Sequence, residues 1–310
     1  MKILQILDEI EMLKNFLKGC ELCPRRCKVD RNVELGFCQA SEKVRVALVS
    51  LHEWEEPCLT GENGAGTIFF SHCNLKCAFC QNFKISHENF GKDISVERLT
   101  EIFLEQQERG AANIELVTPS HYTPQICLAL DAAKNLGLNL PVIWNSNGYE
   151  LPETLELLKN RVDVFLPDFK YFDNKIANSF SGVNDYFEVA AAAVKKMFEL
   201  VGEIKFNKQG LLIRGVLVRH LVLPNFRSDS MKILDWLYKT FGDKIFISIM
   251  NQYTPIFHAS DFPQLDRKLT TFEYKSVIKH AEKLGIKNCF IQVGKSASEE
   301  FIPKFNLTGV

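Results

Sequence analysis

Gly66-Thr67-Ile68-Phe69-Phe70-Ser71-His72-Cys73-Asn74-Leu75-Lys76-Cys77-Ala78-Phe79-Cys80-Gln81-Asn82 decides how the rest of this chain is read. Thr67 to Ser71 is a β-branched and aromatic run preceded by Gly61, Gly64 and Gly66, which predicts a strand. Cys73, Cys77 and Cys80 fall in the loop immediately after it, spaced C-x3-C-x2-C, with no fourth cysteine close behind. Structural zinc usually takes two C-x2-4-C or H-x3-5-H pairs, which this triplet fits poorly. Thiolates are the natural ligands of iron–sulfur clusters, and a cubane normally takes four of them. Three donors hold three irons and leave the last open to a ligand that is not protein.

An open iron can chelate a small molecule through an amine and a carboxylate, and a reduced cluster can pass it one electron. That arrangement points to radical chemistry with S-adenosylmethionine, a task a protein delegates to its cofactor.

Working outward from the cysteines, short apolar runs alternate with helical patterns. Strands are expected over residues 113–118, 141–145, 162–167, 211–223, 244–250 and 288–293. Helices are expected over 96–109, stopped by Gly110, and from Thr123-Pro124 to Gly137, with proline at the first helical position. Further helices are expected over 185–201, 228–241 and 271–284, and an N-terminal one over 3–17. Val44, Val46 and Leu48 alternate with Lys43, Arg45 and Ala47, the pattern of a half-buried strand. Strand–helix alternation means parallel βαβ units. The fold class is therefore α/β, a partial (β/α) barrel of about six parallel strands behind a small N-terminal cysteine-rich extension. The division expected is residues 1–60 for the helix and extension and 61–310 for the core. In such barrels chemistry sits at the C-terminal strand ends. Thr118, Ser120, Asn145, Asn147, Asp168, Lys170, Arg219, Asn251 and Gln252 all fall there.

The 310 residues suffice for one large domain, and 46% apolar content fills a sizeable core. Lys and Arg number 37 against 38 Asp and Glu, so no basic excess favours nucleic acid or an anionic membrane. No run approaches the length of a membrane span; Arg214, Arg219 and His220 break the longest. Asp8, Glu9 and Glu11 interrupt the apolar start, which reads as a mature helix rather than a signal peptide. Seven of the ten cysteines cluster as metal ligands do, an arrangement that belongs in a reducing compartment, so a cytoplasmic location is expected.

The cysteine run resembles the radical S-adenosylmethionine superfamily, whose C-x3-C-x2-C loop follows the first strand of a partial barrel. An aromatic residue often precedes the last cysteine there, as Phe79 does here. Residues 66–82 look like the branch related to pyruvate formate-lyase activating enzyme, within it a group with a cysteine-rich N-terminal extension. The likeness covers nearly the whole chain. It implies an oxidoreductase holding a [4Fe-4S] cluster on Cys73, Cys77 and Cys80 and cleaving S-adenosylmethionine reductively to a 5′-deoxyadenosyl radical. That radical would abstract hydrogen from a backbone glycine of a glycyl radical enzyme, with a reductant such as flavodoxin or ferredoxin as electron donor. A radical enzyme acting on another protein residue or a small molecule, and a non-catalytic iron–sulfur or zinc protein, are the competing readings.

Asp168 and Lys170 lie two apart on an extended segment and point to the same face. They resemble the family's Asp-x-Lys, where both residues help hold the cofactor. Arg219-His220-Leu221-Val222-Leu223-Pro224 resembles an Arg-x-hydrophobic-Val-x-Pro segment whose arginine pairs with the cofactor carboxylate or an acidic rim residue. Many relatives carry a Gly-Gly-Glu-like turn against the cofactor amine; this chain has Val117-Thr118-Pro119-Ser120-His121-Tyr122. The Thr118 hydroxyl or backbone carbonyls are the substitutes, and His121 and Tyr122 are candidates for the substrate mouth or for a plain turn. Asn145, Ser146 and Asn147 are candidates for ribose hydroxyls or for local turn bonds. Met250-Asn251-Gln252-Tyr253 stands where formate-lyase activators carry a His-containing motif.

Cys20, Cys23, Cys27 and Cys38 form a second set, C-x2-C-x3-C-x10-C. Four thiolates make a closed site, suited to structural zinc or to another iron–sulfur cluster that relays electrons. Arg25, Arg26, Lys28 and Arg31 around it read as a solvated loop or a dock for an acidic partner. Glu55-Glu56-Pro57 is expected to seat the extension on the barrel. Cys58, Cys127 and Cys289 are isolated and read as small buried apolar residues.

Overall fold

A computed structural model describes residues 11, 15–292 and 303–310. The helix expected over 3–17 lies almost wholly outside the described residues, as does the end of the last expected strand.

The strands are β1 (Val44–His52), β2 (Ala65–Phe70), β3 (Lys92–Ile94), β4 (Ile114–Val117), β5 (Val142–Ser146), β6 (Val164–Pro167), β7 (Lys205–Phe206), β8 (Leu212–Leu221), β9 (Phe246–Met250) and β10 (Cys289–Ile291). They form one sheet in the order β10-β9-β8-β6-β5-β4-β2-β1-β3, with β7 beside β8. From β2 to β10 along that order every pairing is parallel. β1 runs antiparallel to β2, β3 to β1 and β7 to β8. The terminal strands do not pair, so the sheet curls without closing. This is the partial barrel that the strand–helix alternation predicts.

β2, β4, β5 and β6 are buried at every residue, as expected of parallel strands covered on both faces. Crossover helices supply the cover, each built on local signals. Helix Val96–Glu108 starts at Ser95, whose side chain accepts from the Arg98 amide. Helix Thr271–Leu284 opens on a Thr270/Glu273 capping box and ends at left-handed Gly285. Helices Tyr186–Val201 and Arg227–Phe241 start within a residue of expectation.

Three things differ from expectation. β1 is buried on both faces rather than one, because Val46, Ala47, Leu48 and Val49 lie inside the sheet between β2 and β3. The C-terminal residues also run beside it: the Val49 amide donates to the Thr308 carbonyl at 2.9 Å and Leu307 to Ala47 at 3.1 Å. A helix, Asn174–Ser181, stands where no element is expected; Asp173 caps it and left-handed Gly182 ends it. Arg31 is buried and Arg25 half-buried, where a solvated loop is expected. Arg31 is only 2% exposed and donates to the backbone carbonyls of Ala40, Ser41 and His121. Loop carbonyls buried away from water need donors, and long basic side chains provide them. Cys58 and Cys127 are buried as expected, while Cys289 is half-buried. Among the described residues no helix is long and apolar enough to cross a membrane.

Candidate active site

The C-terminal ends of β2, β4, β5, β6 and β8 surround one cavity of about 520 Å³, within the about 300–1,000 Å³ typical of small-molecule sites. Cys73, Cys77, Cys80, Phe79, Thr118, Asn145, Asn147, Asp168, Lys170 and Arg219 all line it. The fold thus gathers onto one surface every residue expected from the cysteine loop and the strand ends, except for four. Ser120 bonds Glu150 instead, and Asn251 bonds Gln292. His121 and Tyr122 are buried behind the wall, where His121 Nε2 pairs with the Ser71 carbonyl and Tyr122 with His72. They pack the extension against the barrel and do not form a mouth.

Each thiol has a polar neighbour. Asn147 Nδ2 lies 3.4 Å from Cys73 Sγ, as does the Leu75 amide. The Ser181 hydroxyl donates to Cys77 Sγ at 3.1 Å, and Ser86 Oγ lies 3.2 Å from Cys80 Sγ. Burial pushes Cys80 up to about 12. It raises Cys77 as well, against the opposing charge of Lys170. A metal that takes these sulfurs therefore displaces protons. Phe79 packs edge-on against Tyr171, Phe180 and Tyr253, which fixes the loop between the last two thiols.

The opposing charge comes from β6 and β8. Lys170 Nζ pairs with Asp168 Oδ2 at 2.7 Å, and Arg219 Nε reaches Asp168 Oδ1 at 3.3 Å. Burial works against the Asp168 carboxylate, yet Lys170 and Arg219 outweigh it and hold its pKa below the usual value. Arg219 also meets Glu55 at 3.1 Å and donates to Asn145 Oδ1 at 2.6 Å. Asn145 in turn donates to Glu115 Oε1 at 2.6 Å. The Asn145 amide thus links Arg219 to Glu115 and orients the guanidinium, while its second N–H and second lone pair remain on the cavity wall. The Tyr186 hydroxyl joins two strand ends: it donates toward the carbonyls of Asn147 and Asp168 (2.9 and 3.0 Å) and accepts from the Lys170 amide. Gly148 permits that approach, since a Cβ there would lie 2.3 Å from the Asp168 carbonyl oxygen.

Thr118 has φ +58°, a left-handed backbone that a β-branched residue rarely adopts. Its amide donates to the Asn145 carbonyl at 2.8 Å, which holds the turn in place. Strain of this kind gathers at binding sites. The turn has the shape a glycine would give, without the glycine.

Glu115 escaped the reading of the sequence, and Glu55 and Glu56 line the cavity where only a seat for the extension is expected. Glu115 is fully buried in β4 and accepts from Thr67 Oγ1 at 3.0 Å. Its signal was present, a single charge within the apolar run Ile114-Glu115-Leu116-Val117. Glu55 does seat the extension, and it does so on Arg219. Burial raises Glu55, and its neighbour Glu115 adds to the effect. Burial pushes Glu56 up to about 7, with Arg219 opposing. A carboxyl whose folded pKa exceeds its unfolded value contributes stability at low pH and loses it as pH rises through the folded value. Glu56→Gln is therefore expected to gain stability over wild type as pH rises from about 5 to about 8.5, by up to about 3 kcal/mol. Urea unfolding at both pH values measures this, and a difference that ignores pH contradicts it.

A model of the Radical SAM superfamily matches residues 67–221, from β2 to the end of β8. The chain is also 34% identical over 290 residues to Uncharacterized protein MJ0674 of Methanocaldococcus jannaschii, covering 91% of this chain and 80% of that one. This chain belongs to the radical SAM superfamily. Its fold is similar to that of Streptococcus suis SuiB bound to precursor peptide SuiA, with TM-score 0.50 and 13% identity over 72% of this chain. The match covers 47% of SuiB, so this chain spans less than half of that protein's length. Methylornithine synthase (PylB) matches with TM-score 0.44 and 13% identity, covering 71% of this chain and 68% of that one.

Membership of the radical SAM superfamily implies a [4Fe-4S] cluster and S-adenosylmethionine. The residues fit both. Three thiols, each with a polar neighbour, face a cavity that also carries the cations of Lys170 and Arg219 and the carboxyls of Asp168, Glu55 and Glu56. Among the described residues no three His, Cys, Asp or Glu side chains converge closely enough to hold a single ion. A cubane does not ask them to, because each thiolate binds a different iron.

Proposed function

We propose that this protein cleaves S-adenosylmethionine reductively and abstracts hydrogen from a polypeptide, in the manner of a glycyl-radical-enzyme activase. One observation carries the reading: the three-thiol loop and the Asp168–Lys170–Arg219 group share a single cavity. Cys73, Cys77 and Cys80 would hold the cluster, which when bound would supply the single electron that reductive cleavage of S-adenosylmethionine needs.

The chain's own residues bind and orient. Asp168 presents an acceptor for an ammonium, while Lys170 and Arg219 present cations for a carboxylate. These are the two charges of the methionine end. Because Lys170, Asp168 and Arg219 already pair with one another, their charges are oriented before the ligand arrives, which lowers the cost of binding. Thr118 offers a hydroxyl beside them. Asn147 and Ser181 hold the sulfurs of Cys73 and Cys77 by hydrogen bonds, the outer support that tunes a metal site. Phe69, Val117, Leu221 and Met250 supply apolar wall that keeps water from the reacting carbon. No general base is required for hydrogen abstraction, and none stands out.

A polypeptide substrate is supported by the likeness of residues 66–82 to activating enzymes and by the peptide that SuiB binds. Holoenzyme, dithionite and S-adenosylmethionine are to be mixed with dialysed extract of cells that carry this gene, grown on α-deuterated glycine. Deuterium in the released 5′-deoxyadenosine is the expected result. Release without deuterium would move the target to another residue or a small molecule, and no release would refute the cleavage itself.

The four N-terminal thiols are proposed to hold a metal on their donor chemistry alone, since among the described residues their side chains do not converge on a single ion. A variant with Cys73, Cys77 and Cys80 all replaced by alanine is expected to retain that metal. Its elemental analysis separates zinc from iron, and a metal-free variant would contradict the assignment.

A further inference from the structure

Arg25 lies between Cys23 and Cys27, inside the N-terminal thiol set, yet its guanidinium reaches into the barrel. Nε donates to the Asn74 carbonyl at 3.0 Å. The other two nitrogens donate to Gly182 at 2.9 Å and to Ser181 at 3.2 Å. Asn74 follows Cys73 directly, and Ser181 is the residue whose hydroxyl bonds Cys77 Sγ. One planar group therefore holds the backbone on two sides of the three-thiol loop. From the end of β5, Asn147 also ties the loop inward, its Nδ2 donating to Asn74 Oδ1 at 2.7 Å.

The guanidinium is itself held from the extension. Its carbon lies 3.7 Å from the centroid of the Phe37 ring, a stacking arrangement favourable to arginine. Phe37 precedes Cys38, and its amide donates to Cys27 Sγ at 3.3 Å. A continuous path of contacts thus runs from the N-terminal thiols through Phe37 and Arg25 to the residues beside Cys73 and Cys77. Arg26, the next residue, makes no such contact: it is half-exposed and pairs with Glu21 and Glu153.

We propose that Arg25 is a positioning residue for the radical cluster, through which the thiol extension sets the geometry of the three-thiol loop. The inference rests on the reading of Cys73, Cys77 and Cys80 as cluster ligands. The fork matters as well as the charge, because three carbonyls in different directions need a planar multiple donor.

The test compares full-length, anaerobically reconstituted wild type with Arg25→Ala, Arg25→Lys, Phe37→Leu and Arg26→Ala. Iron content, the electron paramagnetic resonance spectrum of the reduced protein with and without S-adenosylmethionine, and the affinity for S-adenosylmethionine are read for each. Arg25→Ala is expected to weaken that affinity by about 10- to 100-fold, the range typical of outer support residues at metal sites, and to change the spectrum. Arg25→Lys is expected to fail to rescue it, and Phe37→Leu to fall between. Arg26→Ala removes the same charge and is expected to match wild type. Should Arg25→Ala bind too little iron for a spectrum, Phe37→Leu decides alone. Spectra and affinities for the Arg25 and Phe37 variants equal to those of Arg26→Ala would overturn the proposal, as would full rescue by lysine. A wild-type spectrum indifferent to S-adenosylmethionine would instead refute the reading of the site.

Discussion

Cys77→Ala is expected to lose 5′-deoxyadenosine release to background and to lower bound iron, while Ser181→Ala keeps a measurable fraction of both. The contrast follows from position. Cys77 Sγ is buried beside Lys170, and Ser181 only donates to that sulfur. Outer support residues typically cost about 10- to 100-fold in affinity or activity, so ligand loss must exceed that range if Cys77 is a ligand. Iron analysis and product release under dithionite measure both quantities. Full activity in Cys77→Ala, or equal losses in the two variants, would refute the ligand role.

The second large effect belongs to Arg219→Gln. The guanidinium is largely buried among Asp168, Glu55 and Asn145, and among the described residues Lys170 is the other cation paired with Asp168. Breaking a buried ion pair from one side leaves an uncompensated charge and costs about 3–5 kcal/mol. The cost depends on pH in a defined direction. Without Arg219, the carboxyls of Glu55, Glu56 and Glu115, already raised by burial, rise further. A raised carboxyl contributes stability that is lost as pH increases through its folded pKa. The deficit of Arg219→Gln is therefore expected to be larger at about pH 8 than at about pH 5.5, because protonation relieves the unpaired charges at the lower value. Urea unfolding at the two pH values measures it. A deficit under about 1 kcal/mol, the range of an exposed pair, would show that Arg219 does not hold the acidic group together.

The cavity was legible where chemistry coincided with local pattern. The apolar runs before Thr118, Asn145, Asp168 and Arg219 gave strands, and the polar residues at their ends gave the site. Cys73, Cys77 and Cys80 needed only their spacing. Glu55 and Arg25 were not legible in the same way, because nothing local distinguishes a surface charge from one that crosses to a distant element. Arg25 meets Asn74 and Ser181, 49 and 156 residues away, and Glu55 meets Arg219 across 164. β3 and β7 have three and two residues and exist only through pairing with β1 and β8. Helix Asn174–Ser181 reads as a loop because Asn174, Asn178, Ser179 and Ser181 are weak helix formers. Its Asp173 cap and terminal Gly182 were the available signals.

An iron vertex free to bind the amine and carboxylate of S-adenosylmethionine is the claim on which the function depends. Electron–nuclear double resonance on the reduced, anaerobically reconstituted protein tests it directly, using S-adenosylmethionine isotopically labelled at its amino nitrogen. Hyperfine coupling between the cluster and that nitrogen is the predicted result. A reduced cluster whose spectrum shows no coupling and no change on adding saturating S-adenosylmethionine would contradict the account.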